Sequence, residues 1–425
     1  MDRPDWVVAQ RWFRSKQRLV ADVSEFDRAL IPGAGGDALL LVLAVEYADG
    51  GPRDLYLAPA IDGREPTGGE GVWSALVEAI AGGVNLAGSH GRFSCLPTAA
   101  LPDVAGRDIG ERRIGVEQSN TSVVLGERLI LKLYRLLEPG INPEIEMSAF
   151  LTDAGFADTP PLFGSITYES GDAVSSAALL QAFVPSIGDA WAVVRAALGK
   201  SAHRATALVE RIGEVTGRMH AALASRPDDP AFPARVATEA ETAAWRASAE
   251  QQLAQAVTAV SGEAHSRLAA LAPAITGRFA DTFGSATGAA RTARVHGDYH
   301  LGQLLARADG GFSVIDFEGE PARPLADRRR PSSPLRDVAG MLRSLDYAAR
   351  TVESPGAPDA EAWLTDARSA FIGAYGGVGE RETGLLAAFE LEKACYEVRY
   401  EASNRPDWLW LPLAAVERLA APGVA

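Results

Sequence analysis

The chain changes character once, and that change limits what it can fold into. Up to Val184-Pro185 it reads as short β-rich runs broken by turns; beyond that point long stretches carry helical spacing. Strands and helices kept apart in this way specify an α+β protein rather than alternating βαβ units. Leu39–Val45 is a β-rich run between the glycines at 33–36 and Asp49-Gly-Gly51, Asp54–Leu57 is a second, and Val72–Ala81 reads as a helix. Val123–Leu125 and Arg128–Tyr134 form an expected hairpin around Gly126-Glu127. A helix follows Pro143 through Glu144, Glu146 and Phe150, and Ala177–Val184 is a further apolar strand. Arg211–Leu223 is then an amphipathic helix in which Gly213 and Gly217 permit close packing, and the Ala/Glu/Gln-rich stretch Pro233–Leu271 is helical. The segment Ala322–Pro334, with its Arg and Pro residues, reads as an ordered loop. Three domains are expected: a β-rich N-terminal piece over 1–105, a β-rich lobe over 106–184 and a mainly helical lobe over 185–425. Lobes joined near Val184–Gly188 predict a cleft, the usual seat of a ligand.

Charge and composition remove several function classes. Of 425 residues, 41 are Lys or Arg and 55 are Asp or Glu, a net charge of −14. That sign is wrong for non-specific nucleic-acid binding, which neutralises phosphates with basic surface. Cys95 and Cys395 are far apart and form no CxxC pair, so neither a disulfide framework nor a cysteine metal site is expected, and a reducing, cytoplasmic setting is. The longest apolar run, Ala38–Val45, is far short of the ~18 residues of a membrane helix. Met1–Arg18 lacks the apolar core of a signal peptide. There is no GxxxxGK[ST] loop, and Gly33, Gly35 and Gly36 lack phosphate-loop spacing and read as a turn.

The chemistry is concentrated in Val295-His-Gly-Asp-Tyr-His-Leu-Gly-Gln-Leu-Leu305 and Val314-Ile-Asp-Phe-Glu-Gly-Glu-Pro321. Asp298 falls in a tight turn, Gln303 offers an amide oxygen, and Asp316 ends a short apolar strand. A carboxylate left free of metal can accept the proton of an attacking hydroxyl. An amide oxygen with a second carboxylate makes a hard donor set suited to Mg²⁺ and substrate phosphates. His296 and His300 have the spacing of a helical zinc pair, but the Gly297-Asp298 turn between them spoils that helix. Gln118-Ser119-Asn120-Thr121-Ser122 is the candidate phosphate-binding turn, with small polar side chains and backbone N–H groups for phosphate oxygens. Lys132, alternating into a strand, can reach phosphates, and Glu144 or Glu146 on the next helix can pair with it. Near the C-terminus, Lys393, Tyr396, Glu397 and Tyr400 fall on one face of the expected helix Leu385–Ser403, a mixture of rings and charges suited to a sugar. Trp408 and Trp410 either extend that platform or belong to the core.

The pattern HGDxHxGQ followed by IDFEGEP resembles the aminoglycoside-phosphotransferase-like kinases and, more narrowly, the actinobacterial maltokinases. The resemblance extends to Pro321–Arg328, Ser333–Tyr347, Lys393–Trp408 and the N-terminal Gln10–Lys16. It implies a bilobal protein-kinase-like fold with an N-terminal β-rich cap, and transfer of the γ-phosphoryl of ATP to the anomeric O1 of maltose. Glucosamine, another sugar or an aminoglycoside is the alternative acceptor. It further implies Asp298 as catalytic base, and Gln303 and Asp316 on Mg²⁺, with Glu318 supporting a second ion or orienting the first. Ser119, Asn120, Thr121 and Ser122 would bind phosphates, Lys132 would pair with Glu146 by family position, and Gln181, Phe183 and Val184 would form a hinge meeting adenine. His296 would brace the catalytic loop, as would Arg336, Asp337 and Arg343. His220 is read as a satisfied core histidine. His300, Lys393, Tyr396, Glu397, Tyr400 and Trp408 would meet the acceptor. Ile187-Gly-Asp-Ala-Trp191 looks like a variant of the family's Asp-Gly-Trp segment, with Ala190 at the glycine position. The resemblance also points to a trehalose synthase as partner.

Overall fold

Helix α1 (Pro4–Val8) leads into antiparallel strands β1 (Val20–Leu30), β2 (Ala38–Tyr47) and β3 (Asp54–Ile61), ordered β1-β2-β3. The structure, a computed structural model, describes residues 4–34, 37–103, 110–115, 119–320, 323–352 and 359–421. The run Ala38–Val45 is apolar without a break because β2 is covered on both faces. By strand alternation Ala38, Leu40 and Val42 enter one core, while Leu41, Leu43 and Val45 enter another with Trp12, Phe13 and Tyr56. The first core also takes the apolar face of α2 (Val72–Ala81), with Trp73, Leu76 and Ile80 fully buried.

Next come β4 (Asn85–Ala87), β5 (Arg92–Pro97), β6 (Glu111–Arg113), β7 (Asn120–Leu125) and β8 (Leu129–Tyr134). Helix α3 (Pro143–Asp153), β9 (Leu162–Ser170) and β10 (Ala173–Ala182) complete the set. These strands make one seven-stranded sheet in the order β4-β5-β9-β10-β8-β7-β6. The expected hairpin is present, with three residues, Gly126 to Arg128, joining β7 to β8 and Gly126 and Glu127 both at positive φ. The expected boundary near residue 105 lies outside the described residues. Strands from both sides of it share this sheet, because β5 pairs along its length with β9. Met1–Pro185 with Pro324–Ala326 forms one compact unit.

The second unit is Ser186–Arg323 with Asp327–Ala425. It begins with β11 (Gly188–Asp189), α4 (Ala190–Leu198), α5 (Ala202–Leu223) and β12 (Arg235–Val236). Helices α6 (Glu239–Ala259) and α7 (Gly262–Ala286) and strands β13 (Arg291–Thr292), β14 (Leu304–Ala306) and β15 (Phe312–Val314) follow. Last come α8 (Leu325–Arg328), α9 (Leu335–Arg350), α10 (Ala360–Tyr375), α11 (Glu380–Asn404) and α12 (Trp410–Ala420). The stretch Pro233–Leu271, expected to be helical, holds α6 and the start of α7. Val260 is extended and Gly262 takes φ +62°, so the chain turns there before α7 starts. The expected loop over Ala322–Pro334 contains the short helix α8, and Ala322 lies outside the described residues. Gly213 and Gly217 do bring two helices together. A Cβ on Gly213 would stand 2.5 Å from the Phe371 carbonyl oxygen of α10, and one on Gly217 would stand 2.7 Å from that of Tyr375. Among the described residues no helix is long and apolar enough to cross a membrane.

One buried charge ties the first unit together. The Arg135 guanidinium, fully removed from solvent, donates to Thr121 Oγ1 at 2.8 Å, to the Leu57 carbonyl at 3.1 Å and to Glu65, with its charge 5.1 Å from the Trp12 ring. Burial pulls its pKa down to about 10, against the attraction of Glu65. Removing the partner strands a buried cation, which costs on the order of 3–5 kcal/mol. Glu65→Ala should therefore lower the unfolding free energy by about that amount in a denaturant titration, and Glu65→Asp should lose less.

Candidate active site

The loop from His296 to Gln303 is held from beneath by one carboxylate. Asp337, three residues into α9 and buried, accepts the backbone N–H of His296 at 2.7 Å and of Gly297 at 2.9 Å. His220 of α5 reaches it through Nε2 at 3.0 Å, and its other ring nitrogen meets the Tyr375 hydroxyl at 3.1 Å. Burial alone would raise the Asp337 carboxyl, but these bonds and the nearby histidines hold it below the ordinary range. Gly297 takes φ +84°, and a Cβ on Gly340 of α9 would stand 2.6 Å from the Tyr299 carbonyl oxygen. Helix α9 and the loop thus meet backbone to backbone. Tyr299 adds a hydroxyl contact of 2.9 Å to Thr216, and the Leu301 N–H donates to Ser344 at 3.1 Å.

His296 is a brace and not a metal ligand. Its Nε2 lies 2.9 Å from the Ile315 carbonyl oxygen and its ring packs against Phe317 at 4.8 Å, tying the catalytic loop to the end of β15. There Asp316 adopts φ +66°, a left-handed conformation costly for a non-glycine residue and found mainly where neighbours enforce it. Gln303 donates from Nε2 to Asp316 Oδ2 at 3.1 Å, and carboxylate oxygens of Asp316 and Glu318 come within 4.8 Å of each other. Two carboxylates so gathered, with the Gln303 amide beside Asp316, offer hard oxygen donors of the kind that suits Mg²⁺.

Asp298 lines an open cavity of about 540 Å³ in the second unit, a size usual for small-molecule sites. His300, Lys393, Tyr396, Glu397, Tyr400 and Trp408 all line it, so the expected acceptor residues converge on the expected base. Lys393 Nζ lies 3.4 Å from Asp298 Oδ1 and 4.6 Å from the Tyr396 ring centroid. Burial works against its charge, but Asp298, Glu320, Tyr396 and Glu397 outweigh it and hold the ammonium above its ordinary range. Burial lowers the His300 imidazole below its ordinary value.

The cavity also contains residues not assigned from sequence. Tyr347 stacks on Trp408 at 6.2 Å, and Arg405 pairs with Glu401. Asp189 and Trp191 lie in the segment with the altered glycine. Asp189 caps α4 through the Ala192 N–H at 2.7 Å, and Ala190 is the first helical residue, where a glycine has no special role. Beneath the cavity, Arg343 donates twice to Glu397, at 2.9 and 2.7 Å, and also bonds Asp346. Asp346 in addition accepts from Arg350 at 2.7 Å and from Arg418 at 2.9 Å.

In the first unit Lys132, on β8, donates to Glu144 at 2.8 Å, as does the Tyr134 hydroxyl. The acid expected there by family position was Glu146, and the pair found is with Glu144. Residues two apart on a helix point about 200° away from each other, so only one can face β8. Glu144, just behind the Asn142 cap and Pro143, is the buried one. The expected phosphate turn is also different. Gln118 lies outside the described residues, and Asn120–Ser122 are already strand β7, in register with Tyr134–Lys132. Strand alternation puts Ser122 beside Lys132 but turns Thr121 to the other face, where it accepts from Arg135. Ser119 immediately precedes the strand. In the expected hinge, Gln181 is paired inside the sheet and the Phe183 N–H already donates to the Arg128 carbonyl at 2.8 Å, leaving it none for adenine; Val184 follows.

A carboxylate on a braced loop, a strand-end pair of carboxylates with an amide, and a strand lysine paired with a helix glutamate are the arrangement expected of a phosphotransferase with a kinase-like fold. The phosphotransferase enzyme family model APH matches residues 110–371, and the chain belongs to that family. It is 35% identical over 71% of its length to a glucosamine kinase of Streptacidiphilus jiangxiensis, covering 72% of that protein. It is 31% identical over 84% of its length to a glucosamine kinase of Mycolicibacterium smegmatis, covering 90% of it. A solved glucosamine kinase in complex with glucosamine, ADP and inorganic phosphate superposes over 98% of this chain and 97% of its own, with a TM-score of 0.74 and 26% identity.

The Asp346 cluster gives a pH signature. The carboxyl falls from 3.8 to about 2 because the three arginines outweigh its burial. A carboxyl depressed on folding stabilises fully above its unfolded value, near ~3.9, and that contribution is lost as pH falls through the folded value. Thermal melts should show part of the loss between about pH 4 and 2 disappearing in Asp346→Asn, which starts less stable at pH 7.

Proposed function

We propose that this chain is an ATP-dependent kinase of glucosamine. The observation that carries the reading is a single cavity lined by Asp298, by the acids Glu397 and Glu401, and by Tyr396, Tyr400 and Trp408. Ring faces stack on sugar C–H surfaces, while carboxylates suit hydroxyls and an ammonium. The relatives named glucosamine kinase support this acceptor over the maltose expected from the sequence motifs.

Asp298 accepts the proton of the acceptor hydroxyl as its oxygen attacks the γ-phosphorus, and ADP leaves. Lys132, aligned by Glu144, and Ser122 beside it hold the nucleotide phosphates. Gln303 and Asp316 would hold Mg²⁺, with Glu318 supporting them, and the bound ion would screen phosphate charge. His296 and Asp337 position the loop, so catalysis is mostly placement and charge screening. Maltose is the second reading, favoured by the breadth of the cavity and its several aromatic rings. The expected trehalose synthase partnership belongs to that reading.

Nucleotide consumption should be followed with Mg-ATP against glucosamine, maltose, glucose, trehalose and kanamycin. Glucosamine should give the highest kcat/KM, and Asp298→Asn should lower it by ~10²–10⁴-fold, the usual worth of a general base. Turnover with maltose and none with glucosamine would move the acceptor and keep the mechanism. Equal turnover in Asp298→Asn would sink the assignment of the base.

A further inference from the structure

We infer that Lys393 acts on the catalytic base and not on the acceptor: it is a positioning residue that orients the Asp298 carboxylate for proton transfer. The inference rests on the kinase reading above.

Asp298 sits in a loop whose backbone is pinned by Asp337 and Gly340, but those bonds end at His296, Gly297 and Tyr299. They fix where the side chain starts and leave its torsions open. The group that meets the carboxylate itself is Lys393, through one nitrogen and one oxygen at 3.4 Å. Lys393 is in turn held from several sides. Its ammonium lies over the Tyr396 ring, and Glu397, one turn on, is anchored by the buried Arg343. A second, small pocket brings Glu320 and Arg336 together with Lys393 and Asp298. A lysine so surrounded by acids stays protonated and has little freedom to follow a ligand.

The type of contact suits the task. A bidentate arginine would take both carboxylate oxygens and quench the base. A single, long contact from a point charge holds one oxygen and leaves the other for the acceptor hydroxyl. Charged hydrogen bonds of this kind are worth ~1.5–3 kcal/mol, so their loss corresponds to ~10–100-fold in rate where they act in the reacting complex.

The test is a double-mutant cycle on the full chain with Mg-ATP and the acceptor found above. Lys393→Met should lower kcat by ~10–100-fold while KM for acceptor and for ATP stays within about twofold. Lys393→Arg should not restore the rate, because its fork would take both Asp298 oxygens. In an Asp298→Asn background, Lys393→Met should cost nothing further, because the base it orients is gone. A raised acceptor KM with kcat intact would make Lys393 an acceptor-binding residue and overturn the inference. Additive losses in the double mutant would overturn it as well. Thermal melting and ADP binding check the fold, with Lys393→Gln as the second variant; collapse of both would assign Lys393 to the fold and equally overturn it. Absence of acceptor-dependent turnover in the unaltered protein would take down the kinase reading and this inference together, and needs no Lys393 variant to be seen.

Discussion

The Asp337 carboxylate is the constraint on which the site depends. Two backbone amides of the catalytic loop and the His220 imidazole converge on it in a setting that excludes water. A buried carboxylate without those donors would be expensive, and the amides without an acceptor would be costly as well. Each side of the arrangement therefore enforces the other. Through it, α5, α9 and the catalytic loop become one rigid body, and the position of Asp298 follows from helix packing. The close approach of Gly340 to Tyr299 belongs to the same logic, since any larger residue would push the loop off the helix.

A second set of charges shapes the cavity. Arg343 and Asp346 are buried together and share partners with Arg350, Arg418 and Glu397. Buried ion pairs are weak evidence for stability, but breaking one strands a buried charge, so partners tend to stay together. Here they fix Glu397 at the cavity wall and, one helical turn earlier, the stem of Lys393. Burial pushes the Glu397 carboxyl up while Arg343 opposes it. The wall is thus a carboxylate whose charge is largely offset by a guanidinium.

Much of this was legible in the sequence because it is written in local spacing. The turn around Asp298, the strand-end Asp316, the one-face set Lys393, Tyr396, Glu397 and Tyr400, and the hairpin at Gly126-Glu127 each depend on a few consecutive residues. What was misread depends on facing and on distance. Glu144 and Glu146 are equivalent in composition, and only the phase of α3 against β8 separates them. Thr121 looked like its neighbours until strand alternation turned it toward Arg135. The Phe183 N–H was spent on Arg128, a partner across the sheet that no local pattern announces. Tyr347 and Arg405 entered the cavity through helix packing alone. The acceptor is a further step removed, since it depends on pocket shape and not on any motif.

The pairing of β5 with β9 has a consequence for how the protein is made. Arg92 and Glu169 bond across this junction from positions 77 residues apart in the chain. Such a contact cannot form until the intervening hairpin and helix have been synthesised, and closing so long a loop is slow compared with local folding. During that interval β5 presents an open edge, the kind that templates unwanted pairing. The first hundred residues are therefore not an appendage that could be shed or exchanged without loss. Of them, β4 and β5 complete the sheet that carries Lys132, and that sheet closes only once β9 has been made.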